Sequence, residues 1–338
     1  MSDIGAFTIL EIVVRALGYA GGLLAAGSGL FLLAWGRSAY PGTEPSAVNR
    51  VMRRTARLGA IAAVAGIVAT LLGLGVRAAR LSGTGLSGMT DPMMLQIVWE
   101  GAVGTAVASR IAGLGAVAVG LMAFRHRPGA VLIGVGALAT AVSYTFVGHA
   151  TEAPRLLLAT VLVLHLMMAS VWFGSFAPLI GAARGFSQRD AAALLQAFGR
   201  SALWGVAVLA AAGAIFAAVL VRSPAGLFDS AYGRLLLVKL GVVGVLLGLA
   251  ALNKLSLVPA VAAGRERART RLIRSIRMEA ATVAVILVVT ATLTSVATPP
   301  ARMGSAGSNH ETDRQPEGCG PDRASKNGLP LLLSGCLG

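Results

Sequence analysis

Two histidines, 16 residues apart, are the side chains here best suited to chemistry. His149 stands in a short polar break, VGHATEAP, and His165 inside the apolar run that follows. Met167 and Met168 come directly after it, and Trp172 lies seven residues beyond. The other two of the four histidines, His126 and His310, fall in a basic turn and a polar tail. A histidine within a long apolar segment has lost its water, so it needs a partner or a purpose. Imidazole with thioether is a soft donor set that suits Cu(I), and imidazole alone serves both copper oxidation states.

Each candidate also has a plainer reading. His149, with Glu152 close behind, reads as a metal ligand at a membrane edge or as an interfacial histidine capping a helix end. His165 and Met168, three apart, share one helix face, and Met167 lies only partly round from it. The alternative is a histidine bonded to a neighbouring carbonyl, with the methionines as core filler. Trp172 falls on the His165 face two turns on, as a packing or interface residue or as a cation–π partner. Met89, Met93 and Met94, beside Asp91, form either a collecting site for Cu(I) or an ordinary apolar cluster.

The elements that must position these residues are apolar and long. Of the 338 residues 56% are hydrophobic and only 13% charged, where a soluble domain carries about a quarter charged. Eight apolar segments recur, at about 9–35, 58–77, 95–124, 129–147, 154–181, 200–221, 233–258 and 276–297. Runs near ~20 residues span a bilayer as helices, so the pattern predicts an all-α polytopic bundle of eight transmembrane helices. Small-xxx-small spacings such as Gly18/Gly22, and the nearby pair Gly241/Gly244, favour close helix packing. Arg110, Lys239, Asn253 and Glu279 lie inside or at the ends of apolar runs, and Glu100 precedes Arg110 by ten residues. They read as interhelical pairs locking the bundle or as groups that carry a proton or screen a cation.

Positive charge sets the expected orientation. Seventeen of the 29 Lys and Arg residues fall in the alternate connections 36–57, 125–128, 182–200 and 254–277. By the positive-inside rule those connections are cytoplasmic and both termini are periplasmic. His149 is then at the outer surface, with His165 roughly 15 Å deeper once the Pro154 break is allowed for. The net charge of +15 therefore reports topology rather than a nucleic-acid surface, since no polar domain carries it. Residues 298–338 are polar and rich in Gly and Pro, and read as a disordered tail. That tail holds both cysteines, Cys319 and Cys336, which excludes thiolate metal chemistry within the apolar segments. No phosphate-binding glycine loop and no DKTGT-like phosphorylation site are present, which excludes an ATP-driven pump. HExxH is absent, and no Ser/His/Asp set stands out, so no enzyme activity is expected.

From Ser143 onward the sequence resembles the copper resistance protein D (CopD) family of bacterial inner-membrane proteins. VGHA, with His149, is followed by LHLMMASVWFGSFAPL, which has the family's His, Trp-x-Gly and Pro in order. FGRSALWGVAVLAAAGAIFAAVL matches its small-residue helix. SAYGRLLLVKLGVVGVLLGLAALNKLSLVPAV carries the distinctive Tyr-Gly-Arg, Lys and Asn-x-x-x-x-x-Pro pattern. The likeness is strong over 140–297 and looser before, where it rests on Arg15, Tyr19, Glu100 and Arg110. The resemblance implies movement of copper across the inner membrane, often beside a periplasmic CopC-type copper-binding protein, and no such domain is expected within these residues.

The expectation is a membrane domain over 1–297 and a tail over 298–338, handling copper at His149, His165, Met168 and Met167. Glu152, Trp172, Met89, Met93 and Met94 are supporting candidates. Two rival readings stand beside it. One is a haem-binding redox protein ligated by two histidines. The other is a non-transporting subunit that docks a periplasmic copper chaperone.

Overall fold

The computed structural model describes residues 2–151, 154–220 and 231–296, all within the compact unit 1–300. Among them every regular element is helical and no strand occurs. In chain order these are α1 (Ser2–Trp35), α2 (Pro45–Ser82), α3 (Pro92–Glu100), α4 (Ala102–Met122) and α5 (Arg127–Val142). Then come α6 (Arg155–Gly185), α7 (Gln188–Leu220), α8 (Ala231–Leu252), α9 (Val258–Ala262) and α10 (Ala268–Val296). Eight stretches are long and apolar enough to cross a membrane, as the eight apolar segments predict. Leu, Val and Ile side chains on their outer faces stay exposed, the signature of helices solvated by lipid rather than water. The chain is a multi-pass membrane protein.

The helices run further into the basic connections than hydropathy suggests. Pro45 starts α2, with its ring set for the first turn, so Arg50, Arg53, Arg54 and Arg57 are helical rather than in a loop. Arginine is a good helix former, and α10 likewise opens before Arg269. The run 95–124 is not one helix. It breaks at Gly101, whose extended backbone (φ −87, ψ −177) ends α3 and begins α4. Asp91 caps α3, accepting from the Met93 and Met94 amides at 2.9 and 3.2 Å.

Helix α1 is the hub, packed against α2, α4, α5, α6 and α10. Its contact with α6 is backbone to backbone. A Cβ on Gly27 would lie 1.8 Å from the Ser170 carbonyl oxygen, and one on Gly174 2.1 Å from the Gly27 carbonyl carbon. That approach fixes α6 against α1, on the helix face opposite the His165 stripe. The glycines paired by spacing behave differently. A methyl added at Gly241 or Gly244 would meet nothing within 4 Å among the described residues, so these two seat no close crossing there.

At the end carrying the basic connections, the 36–44 loop is clasped to the start of α7. The Thr43 hydroxyl donates to buried Asp190 at 2.6 Å and accepts from the Ser187 amide at 2.9 Å. Tyr40 stacks on Phe186 and donates to the Trp35 carbonyl. The opposite end is tied by a second polar network. Glu11 pairs with Arg15 at 2.7 Å, and Arg80 lies 3.0 Å from its other oxygen, close enough for an ion pair though not aligned as a hydrogen bond. Arg15 donates to the Thr294 carbonyl, and the Tyr19 and Thr294 hydroxyls are 3.3 Å apart.

Candidate functional site

Helix α6 carries three of the sequence candidates on one stripe. His165, Met168 and Trp172 follow at the spacings that keep residues on one helix face. His165 is half-buried, and its Nδ1 is fully buried with no hydrogen-bond partner. The neighbouring-carbonyl reading of His165 therefore finds no bond at that atom. Lys239 of α8 is near enough to His165 for their charges to interact. One turn on, Met168 turns its sulfur towards α7, 3.8 Å from where a methyl on Gly205 would sit. Met167 points elsewhere and packs against the hydrophobic core.

Two turns below His165 the stripe reaches a buried polar centre. The Trp172 indole N–H donates to Glu279 Oε2 of α10 at 3.3 Å. The Asn253 amide donates to Glu279 Oε1. Glu279 and Asn253 are 5% and 8% exposed. Asn253 opens a π turn, Asn253–Leu257, between α8 and α9; such widened turns recur at functional sites. Trp172 is thus more than a packing residue, because its one donor is committed to a buried carboxylate. Asn253 and Glu279 do form an interhelical pair, as one reading of the sequence has it. The pair is amide to carboxylate, and the Arg110 guanidinium is engaged elsewhere. Arg110 donates to Ser143 at 3.0 Å and lies 3.7 Å over the Tyr144 ring. Glu100 accepts from Gln96 one turn earlier.

The remaining candidates are not drawn into this stripe. His149 lies on a 3₁₀ turn, Gly148–Thr151, before α6, and Glu152 falls outside the described residues. Met89 folds onto α2, its methyl 3.3 Å from a Cβ position at Gly75, whereas Met93 is 67% exposed. The Asp91 carboxylate beside them is occupied as a helix cap. Among the described residues, no group of three or more His, Cys, Asp or Glu is arranged to hold a metal. A metal on the α6 stripe would have to use His165 with thioether sulfur.

Sequence reasoning passed over Glu11 and Arg80. The spacing of Glu11 and Arg15, one turn apart on a helix, was the available signal.

Comparison with known proteins adds an independent line. The family model described as copper resistance protein D matches residues 192–293, which hold Asn253 and Glu279. The model for the copper resistance protein D-like N-terminal domain matches residues 1–155, which hold His149. His165, Met168 and Trp172 lie between the two matches. A relative named copper transport protein CutJ, from Bacillus subtilis (strain 168), is 31% identical over 160 residues. That stretch is 46% of this chain and spans only 28% of the length of the relative. No solved structure matches. With both halves matched by models of one family, and with eight membrane-capable helices, the chain belongs to the copper resistance protein D family.

Proposed function

We propose that this protein moves copper ions across the bacterial inner membrane, taking them at His149 and passing them by way of His165 and Met168. The observation that carries the reading is the buried, unpartnered Nδ1 of His165, on the same face as a thioether. An imidazole nitrogen left without a bond in a desolvated span is costly to keep unless something transient occupies it. Imidazole and thioether together select Cu(I) over hard cations. Family membership and the name of the relative support copper as the cargo. The basic connections support a cytoplasmic placement for their end of the bundle and a periplasmic placement for both termini. On that side a CopC-type protein would hand over copper near His149. The working unit is residues 1–297, and the tail 298–338 is dispensable.

Copper accumulation in cells, followed as external copper is raised, tests the relay. His149→Ala should weaken capture, with a defect that shrinks at high copper. His165→Ala should lower the maximal rate at every concentration. His165→Met should restore part of it and His165→Leu none, because a thioether is a competent Cu(I) ligand. Expression must be matched, since loss of a buried polar group can cost ~1–3 kcal/mol. Well-expressed alanine variants that accumulate copper like wild type would refute the relay and leave a docking subunit.

A further inference from the structure

The Trp172–Asn253–Glu279 centre holds a carboxyl group that, among the described residues, no cationic side chain pairs with. The Glu279 carboxylate is 5% exposed and sits twelve residues into the 29-residue α10, close to the end that carries the basic connections. Among the described residues the ion pairs are those of Glu11 with Arg15 and Arg80, and none involves Glu279. Its partners are two neutral donors, the Trp172 indole and the Asn253 amide. Intramembrane carboxylates without a cationic partner mark ion pathways.

Two further oxygens are left over beside it. Asn253 Oδ1 is buried and has no partner. The Ser275 hydroxyl, 5% exposed, also has none, and it precedes Glu279 by one helical turn on the same face of α10. Buried polar atoms are almost always satisfied, so two orphans next to such a carboxylate need an explanation. Besides the Ser275 O–H, the free groups are oxygen lone pairs, which suit a hard cation and not Cu(I). One carboxylate charge balances one positive charge. The π turn that Asn253 opens widens the backbone beside these oxygens, and such turns recur at functional sites.

We propose that Glu279, Asn253 Oδ1 and Ser275 Oγ form a binding site for a dehydrated alkali cation of sodium size, distinct from the soft donors on α6. When filled, the site ties α6 and α10 to the π turn between α8 and α9, because its ligands and the Trp172 donor come from all three. It does not depend on the copper reading.

The test is the melting temperature of the full-length detergent-purified protein, free of copper, in sodium chloride against choline chloride at equal ionic strength. Sodium at about a hundred times its dissociation constant should raise the midpoint by about 5 °C. Glu279→Gln should abolish the shift, and Ser275→Ala, a milder change, should reduce it. Equal midpoints in sodium and choline for wild type overturn the site. So does a full sodium shift in Ser275→Ala, which decides the matter should Glu279→Gln fail to fold. With copper absent, a negative result here leaves the copper relay standing, and failure of the relay leaves this site standing.

Discussion

Gly174→Ala should loosen the backbone contact between α1 and α6, the helix that carries the candidate stripe. The added methyl would lie 2.1 Å from the Gly27 carbonyl carbon and 2.4 Å from the Ser28 amide nitrogen. Ordinary contact begins near 3.4 Å, and the obstacles are backbone atoms that cannot rotate away. Helices α1 and α6 must therefore part by roughly 1 Å at the crossing, the kind of overpacking that costs about 1–3 kcal/mol. Two residues earlier on α6 is Trp172, so the same displacement stretches its 3.3 Å bond to Glu279. Relief by bending has a local opportunity, since Pro178 has no N–H to offer the Gly174 carbonyl. For a chain of this size the cost corresponds to a melting temperature lower by about 2–6 °C. The assay is a thermal melt of the detergent-purified protein at one fixed scan rate, read by tryptophan fluorescence. Gly241→Ala is the control: its methyl meets nothing within 4 Å among the described residues, so its midpoint should stay level or rise. A Gly174→Ala protein as stable as wild type, or a Gly241→Ala protein that falls as far, would refute the backbone contact.

Two other expectations follow from single features. Burial, reinforced by the Asp190 charge and opposed by the Ser38 bond, raises the Tyr40 phenol above 10.0. A group with a raised folded pKa contributes stability that is complete below its unfolded value and is lost as pH climbs past it. Stability should therefore fall above about pH 10 more steeply in wild type than in Tyr40→Phe, as followed by thermal melts; equal alkaline slopes would argue against it. A reporter active only in the cytoplasm, fused after Pro300, should stay silent if both termini are periplasmic, and a bright signal would reverse the orientation.

The architecture was legible because bilayer-spanning helices announce themselves by length and apolarity, and all eight apolar segments correspond to spans. The break at Gly101 was hidden, since an isolated glycine in an apolar run carries no proline or polar cluster to mark it. Spacing put His165, Met168 and Trp172 on one stripe, because helical periodicity is local information. What Trp172 touches was out of reach: Glu279 is 107 positions away, and only the packing of α6 against α10 brings them together. Glycine pairs show the same limit. Gly241/Gly244 has a suggestive spacing and meets no neighbour among the described residues, while Gly27 and Gly174, on different helices, make the close crossing. Asn253 was readable as an odd polar residue near a span end, but not as the start of a π turn.

Copper flux into proteoliposomes is the most direct measurement of the central claim. Purified protein, reconstituted without any partner, should carry Cu(I) to a metal-sensing dye trapped inside the vesicles. His165→Ala should cut the maximal rate while His165→Met retains part of it, with all three proteins present in equal amount. Flux no greater than that of empty vesicles, or a His165→Ala protein as fast as wild type, would contradict transport through this stripe.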